Sequence, residues 1–291
     1  MRVVGGHHQD PSHDQPRDRA LNTSPAPTRA VIGGIATNFH DEGAGPQVLF
    51  LHGSGPGVSA WSNWRLSIPV LADRFRVVAP DQLGFGATAA PADRSYSRDR
   101  WVSHVVGLLD HLEIERTHVV GNSFGGAIAL RLAIEHPKRV ERLVLMGSVG
   151  VTFDITPGLD QAWGYTPSIE NMRAMLDSFA FDRSLVTEEL AQMRYEASIQ
   201  LGVQEAFAAM FPAPRQRWID ALASEDDEIK RIEAETLIIH GRDDQIIPLS
   251  NSMRLLDLIN HSQLHVFGRS GHWVQIEHAE EFARLVGDFL S

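Results

Sequence analysis

The stretch that most constrains this chain is His118-Val119-Val120-Gly121-Asn122-Ser123-Phe124-Gly125-Gly126-Ala127-Ile128-Ala129-Leu130. Two β-branched residues lead into a glycine, a serine flanked by Asn122 and Phe124, two more glycines and an apolar helical pattern. That order predicts a strand turning sharply into a helix, with Ser123 exposed on the corner. Gly121 and Gly125 carry no Cβ, so strand and helix can pass close together on either side of the serine. Amides at the start of the helix then point at any negative charge that develops there. An ordinary strand-to-helix turn with a surface serine fits the same residues, because short motifs occur by chance. The rest of the chain has to separate the two readings.

Apolar runs at 47–52, 75–80 and 142–147 suit strands buried on both faces, and 236–240 and 263–267 read as two later strands. Residues 30–40 alternate loosely and can form a first edge strand. Helical patterns lie between the runs: after Trp61-Ser62-Asn63-Trp64 as far as Leu71, over 96–112, from the serine to His136-Pro137, over 250–259 and over 280–290. This alternation implies an α/β fold, a mostly parallel sheet with helices on both faces. From 151 to 219 only helical patterns occur. There Thr166-Pro167-Ser168 reads as an N-cap with proline at the first helical position, ahead of a helix over 169–179. Thr187 can cap another helix, which carries Leu190, Met193 and Arg194. The expected organisation is a flexible tail over 1–28, a core over 29–150 and 220–291, and an inserted helical lid over 151–219. A lid above the strand ends makes a closed pocket, where enzymes of this layout bind ligand.

Charge and composition narrow the function. The formal net charge of −11 argues against a nucleic-acid partner and against docking on anionic membrane. It also means that an anionic substrate needs a local arginine to receive it. With no cysteine in the chain, disulfides, thiolate nucleophiles and cysteine metal sites are excluded, and a reducing cytoplasm fits. The tail lacks the apolar segment of a signal peptide, and no run approaches the length of a membrane span. His7-His8 with His13 could bind a metal, but a flexible polar tail is the plainer reading.

A serine hydroxyl is a poor nucleophile unless a base takes its proton and a third group orients that base. Two loops behind late strands supply candidates: His240-Gly241-Arg242-Asp243-Asp244 and Gly271-His272-Trp273. They complete the order serine, acid, histidine. Asp244 is the chosen acid, because a Gly-x-x-Asp-x-x-x-Pro pattern runs from Gly241 through Asp244 to Pro248; Asp243 is the alternative. His104, His111, His136, His261, His265 and His278 fit packed or solvated roles better. Attack on a carbonyl also needs two donors for the oxyanion. The N–H of Phe124 is one, and the glycine-rich His52-Gly53-Ser54-Gly55-Pro56-Gly57 loop supplies the N–H of Ser54 as the other.

These residues, with further motifs, carry a specific resemblance. The chain resembles the meta-cleavage product hydrolases, carbon–carbon bond hydrolases of the alpha/beta-hydrolase fold that act in aromatic degradation. The matching stretches are His52–Gly57, Trp61–Trp64, Gly121–Gly126 and Phe267-Gly268-Arg269-Ser270-Gly271-His272-Trp273. In the lid they are Trp163-Gly164-Tyr165-Thr166-Pro167-Ser168, Met193-Arg194-Tyr195-Glu196-Ala197 and Met210-Phe211-Pro212-Ala213-Pro214-Arg215-Gln216-Arg217-Trp218. The likeness is greatest to the 2-hydroxymuconate-semialdehyde branch and the hydrolases of alkyl-substituted ring-cleavage products. The tail before Ala30 has no counterpart, and Ser270 stands where these enzymes often have cysteine.

The resemblance implies Ser123, Asp244 and His272 as a triad. It places Asn63, Asn122, Arg194 and Trp273 around the carboxylate and dienol end of an anionic 2-hydroxy-6-oxo-2,4-dienoate, with Phe179 as an aromatic lining residue or part of the lid core. It further implies ketonisation, attack at C6 by Ser123 or by an activated water, release of 2-hydroxypenta-2,4-dienoate, no metal or other cofactor, a homodimer or higher homo-oligomer, and a cytoplasmic location. A carboxylesterase or a non-catalytic ligand receptor on the same fold are the competing readings. The C6 substituent, whether hydrogen, alkyl or aryl, is left open.

Overall fold

The computed structural model describes residues 25–291. The histidine group His7, His8 and His13 lies outside the described residues, as does all of the expected tail before Pro25. Thr28, placed by the sequence at the end of that tail, opens the first strand.

Strands β1 (Thr28–Ile32) and β2 (Ile35–Glu42) form an antiparallel hairpin that turns at Gly33-Gly34. The single edge strand expected over 30–40 is therefore two. The remaining strands are β3 (Gln47–Leu51), β4 (Arg76–Pro80), β5 (Thr117–Asn122), β6 (Val140–Met146), β7 (Glu235–Gly241) and β8 (Ser262–Phe267). They complete one eight-stranded sheet in the order β1-β2-β4-β3-β5-β6-β7-β8, parallel from β4 to β8. Parallel strands need crossover connections, and helices supply them.

The helix expected after Trp61 is two short ones, α1 (Ala60–Trp64) and α2 (Ile68–Leu71). Ser59 and Ser62 close a capping box at the start of α1. Helices α3 (Arg98–His111) and α4 (Phe124–Glu135) follow. Alternate β3 residues serve opposite layers, as the period of a strand requires. Leu49 and Leu51 pack with Trp101 and Ile128 on one face, Val48 and Phe50 with Trp64 and Phe282 on the other.

Between β6 and β7 the chain inserts α5 (Pro157–Trp163), α6 (Ile169–Phe179), α7 (Glu188–Ser198), α8 (Val203–Met210) and α9 (Gln216–Leu222). Helix α6 buries Met172, Met175, Leu176 and Phe179, one stripe at helical spacing. Its N-cap is Ser168, whose Oγ accepts the Asn171 N–H at 3.0 Å, so Pro167 lies outside the helix. This corrects the cap expected at Thr166: a serine in extended conformation serves the orphan amide directly. Thr187 caps α7 as expected. The chain ends with α10 (Asp226–Ile229), α11 (Leu249–Leu258), α12 (Val274–Glu277) and α13 (Ala279–Leu290). Among the described residues, no helix is long and apolar enough to cross a membrane.

Candidate active site

The strand order places a switch point between β3 and β5, because β4 lies on one side of β3 and β5 on the other. Loops leaving the carboxyl ends of β3 and β5 diverge there and leave a crevice. Ser123 stands at its edge as the N-cap of α4, with φ 53° and ψ −115°. Such a conformation costs a non-glycine residue about 1–3 kcal/mol and persists only where the surroundings enforce it. Here Ser123 N donates to the Met146 carbonyl at 2.8 Å, and its own carbonyl accepts from Val149 N at 3.1 Å. The flanking glycines are required by contact. A Cβ on Gly121 would come within 2.6 Å of the Gly125 carbonyl oxygen, and one on Gly125 within 2.3 Å of the Leu51 carbonyl oxygen.

Asp244 follows β7 and His272 follows β8. The His272 Nδ1 lies 2.7 Å from Asp244 Oδ2, and both side chains are almost wholly buried. Asp244 Oδ1 accepts the N–H groups of Ile246 at 2.7 Å and Ile247 at 3.0 Å, which fixes the carboxylate plane. Burial pushes the Asp244 carboxyl up. The His272 charge and hydrogen bond, helped by His240 and the Ile247 amide, more than offset that and hold it below the usual carboxylate range. A carboxylate so placed keeps the His272 proton on Nδ1 and leaves Nε2 free to accept one. Asp243, the alternative acid, instead faces Arg242 at 3.5 Å and is partly exposed.

His240 was not singled out by the sequence. Its Nε2 is 3.5 Å from Asp244 Oδ2 and 3.1 Å from the Ile247 carbonyl, and its Nδ1 is 2.7 Å from the Ser252 hydroxyl. Burial lowers its pKa, and its position against Oδ2 braces the acid.

The loop after β3 packs directly on the elbow. A Cβ on Gly53 would lie 2.7 Å from Asn122 Oδ1 and 3.3 Å from Ser123 Cβ. Three side chains hold this loop. His52 Nδ1 contacts the Gly53 carbonyl at 2.7 Å while its Nε2 accepts Gln82 N–H at 2.9 Å. Asn63 Oδ1 accepts the Gly53 N–H at 3.2 Å, and Trp163 Nε1 donates to Ser54 Oγ at 2.8 Å. Burial lowers the His52 pKa, and only a neutral ring can donate at one nitrogen and accept at the other. Phe124 is the first residue of α4, where an N–H has no acceptor within the helix.

Two chambers open beside these groups. The inner one, about 30 Å³, is lined by Gly53, Ser54, Asn122, Met175, Phe179 and His272 among others. The outer one, about 480 Å³, is lined by residues that include Trp61, Arg65, Leu190 and Met193. Val58, Asn63, Arg194 and Trp273 line both. Phe179 sits edge-on to the His272 ring, 5.3 Å between centroids, and its carbonyl accepts the His272 N–H at 2.7 Å. The structure thus brings Ser54, Asn63, Asn122, Phe179, Arg194, His272 and Trp273 together in the lining of the inner chamber, while Ser123, Phe124 and Asp244 are not among its lining residues.

The comparisons with known proteins bear on this arrangement. A family model described as alpha/beta hydrolase fold matches residues 46–279. A 2-hydroxymuconate semialdehyde hydrolase from Pseudomonas sp. (strain CF600) is 62% identical over 273 residues, 94% of this chain and 96% of that protein. The chain belongs to the meta-cleavage product hydrolases. Among other members, a 2-hydroxy-6-oxo-2,4-heptadienoate hydrolase from Pseudomonas putida strain F1 is 61% identical over 261 residues, 90% of this chain and 95% of that protein. A meta-cleavage product hydrolase from Pseudomonas fluorescens IP01, solved as a serine-to-alanine mutant complexed with acetates, superposes with a TM-score of 0.89. It shares 60% identity, covering 90% of this chain and 96% of that one.

One further residue of this meta-cleavage product hydrolase escaped the sequence reading. Glu277 Oε1 accepts the N–H groups of Phe181 at 2.7 Å and Asp182 at 2.9 Å, in the segment after α6. Its Oε2 accepts Gly271 N–H at 2.7 Å and the Ser270 hydroxyl at 3.3 Å, in the loop that carries His272. One carboxylate therefore ties the insertion to the base loop. Nothing short-range in the sequence signals it, since its partners at 181 and 182 are remote in the chain.

Proposed function

We propose that this hydrolase cleaves a carbon–carbon bond in a 2-hydroxy-6-oxo-2,4-dienoate, namely 2-hydroxymuconate semialdehyde or a 6-alkyl analogue. Ser123, Asp244 and His272 act as the triad, the N–H groups of Ser54 and Phe124 receive the oxyanion, and the insertion serves as the lid. The observation that carries the reading is Arg194, which lines the inner chamber together with His272; the hydrogen bonds of its half-buried guanidinium go only to the neutral acceptors Ser62 Oγ and Pro56 O. Hydrolysis of a neutral ester needs no such cation; a dienoate does.

In the proposed sequence the dienol ketonises by giving up its 2-hydroxyl proton and taking one at C5, with Asn63, Asn122 and Trp273 around its polar end. The buried Nδ2 of Asn63 has no partner and is free to donate to a ligand oxygen. With His272 Nε2 as base, Ser123 Oγ adds to the C6 carbonyl, whose oxygen takes the negative charge. Collapse of that adduct breaks the C5–C6 bond and expels the dienolate, which takes the proton held by His272 at its C2 oxygen and leaves as 2-hydroxypenta-2,4-dienoate. Water, deprotonated by His272, then releases the small carboxylic acid from Ser123. The alternative in which activated water attacks C6 first uses the same His272 and the same donors.

The proposal includes a cytoplasmic homodimer or higher homo-oligomer, carried over from the family resemblance. The deciding experiment measures kcat/KM on dienols bearing hydrogen, methyl, isopropyl or phenyl at C6, alongside p-nitrophenyl acetate. Loss of the dienol absorbance, fastest for hydrogen or methyl, is the expected result. Brisk ester turnover with every dienol untouched would overturn the proposal in favour of a carboxylesterase.

A further inference from the structure

We propose that the outer chamber is an anion site, in which Arg65 together with Arg194 receives the carboxylate of a small dienoate. The proposal rests on the reaction proposed above for its choice of ligand. Arg65 lines the outer chamber but not the inner one. Its Nη1 donates to the Ser62 carbonyl at 2.9 Å, while Arg194 Nη1 donates to the Ser62 hydroxyl at 3.0 Å and Nη2 to the Pro56 carbonyl at 3.1 Å. Ser62 thus holds two guanidiniums at one cavity, through neutral acceptors alone.

Each guanidinium offers five N–H donors, so most of this capacity is unspent. Among the described residues neither arginine has a carboxylate ion-pair partner, and the Arg194 Nε is buried with no hydrogen bond. Other arginines of the chain do find carboxylates: Arg76 with Asp41, Arg131 with Glu135 and Glu228, Arg139 with Asp110, Arg215 with Asp160. In a chain with 37 acidic residues against 26 Lys and Arg, a cavity holding two cations and no acid is a selective arrangement. Burial, with the neighbouring Arg65 charge, pulls the Arg194 pKa down to about 10.

Size and wall chemistry agree. The inner chamber, about 30 Å³, has room for about one water molecule, whereas the outer, about 480 Å³, falls in the range of small-molecule sites. Trp61, Leu66, Leu190, Met193 and Ile276 supply apolar wall for a conjugated chain. A positive chamber in a protein of net charge −11 also concentrates anions where the global field would repel them.

The probe is sorbate, a hexa-2,4-dienoate without the ketone, with sorbamide as its neutral counterpart. Titration calorimetry compares wild type, Arg65→Gln and Arg65→Lys. Sorbate is expected to bind wild type, to bind Arg65→Gln on the order of tenfold more weakly, and to recover most of that loss with Arg65→Lys, while sorbamide shifts less than twofold. Undetectable sorbate binding to wild type, equal affinity in Arg65→Gln, or equal weakening of acid and amide would each overturn the proposal.

Kinetics distinguish the two sources of a dienoate. If the incoming substrate is held, Arg65→Gln raises KM with little change in kcat. If the leaving product is held, it weakens inhibition by 2-hydroxypenta-2,4-dienoate with KM unmoved. No shift in either refutes the site. If wild type turns over none of the dienols while sorbate binding still depends on Arg65, the proposed reaction falls and the anion site stands.

Discussion

Replacing Asp244 by asparagine keeps the shape of the side chain and inverts the chemistry of one atom. Oδ1 holds two backbone amides, at 2.7 and 3.0 Å, so the asparagine carbonyl oxygen must take that position. The flipped alternative would set an NH2 group against two N–H donors and forfeit both bonds, at about 1–3 kcal/mol for each unsatisfied group. The NH2 group therefore faces His272 Nδ1, now 2.7 Å from Oδ2. A donor there forces Nδ1 to accept, which moves the ring proton to Nε2, the atom that has to take the Ser123 proton. The variant also loses the charge that steadies the imidazolium. In serine hydrolases of this design the same exchange lowers kcat by about 10⁴, equivalent to about 5.5 kcal/mol of barrier. Asp244→Asn is expected to fall by 10³ to 10⁴ in dienol turnover, followed by absorbance, with a melting temperature near that of wild type. Asp243→Asn is expected to stay within about threefold, because Asp243 faces solvent and Arg242. Retention of more than a tenth of the activity by Asp244→Asn, or an equal loss in Asp243→Asn, would refute the assignment of the acid.

Ser123→Ala and His272→Ala should each lower turnover on the order of 10³-fold or more, and the double variant by hardly more than either alone. A loss below tenfold in stopped-flow assays would remove the triad. Arg194→Ala should cost the dienoate at least tenfold more in kcat/KM than it costs p-nitrophenyl acetate; equal losses would end its role in charge recognition. Acid stability tests a group remote from the site. Burial pushes His104 from 6.5 down to about 4, with Thr37 Oγ1 2.9 Å from its Nε2. Between those values the unfolded chain binds the proton that the folded one refuses. The contribution is full above pH 6.5 and is lost as pH falls toward 4, by about 3 kcal/mol. His104→Gln should flatten that part of the urea-midpoint profile, and an unchanged slope would contradict the assignment.

The elbow, the acid loop and the histidine loop were legible in sequence because each is local: a few residues set a backbone shape behind a strand. The parallel sheet was legible for the same reason, since buried strands read as unbroken apolar runs. The β1–β2 hairpin was missed although Gly33-Gly34 is a strong turn signal, because loose alternation runs through it. Ser168 displaced Thr166 as a cap because both can cap, and three-dimensional placement chose between them. Arg65, His240 and Glu277 were invisible for a different reason. Their significance lies in which distant groups they face or fail to face: a second arginine, a buried acid, or two amides at the far end of an inserted helix.

The Glu277 carboxylate has a consequence for how such proteins diversify. An insertion between two strands looks like a module that recombination could exchange freely. Here four hydrogen bonds to one side chain fasten its Phe181–Asp182 stretch to the Ser270–Gly271 stretch. A chimera that imports a foreign insertion without that stretch strips Oε1 of both its amides and loosens the loop that carries His272. The transferable unit is then the insertion together with α12, and successful graft junctions should keep residues 179–182 native.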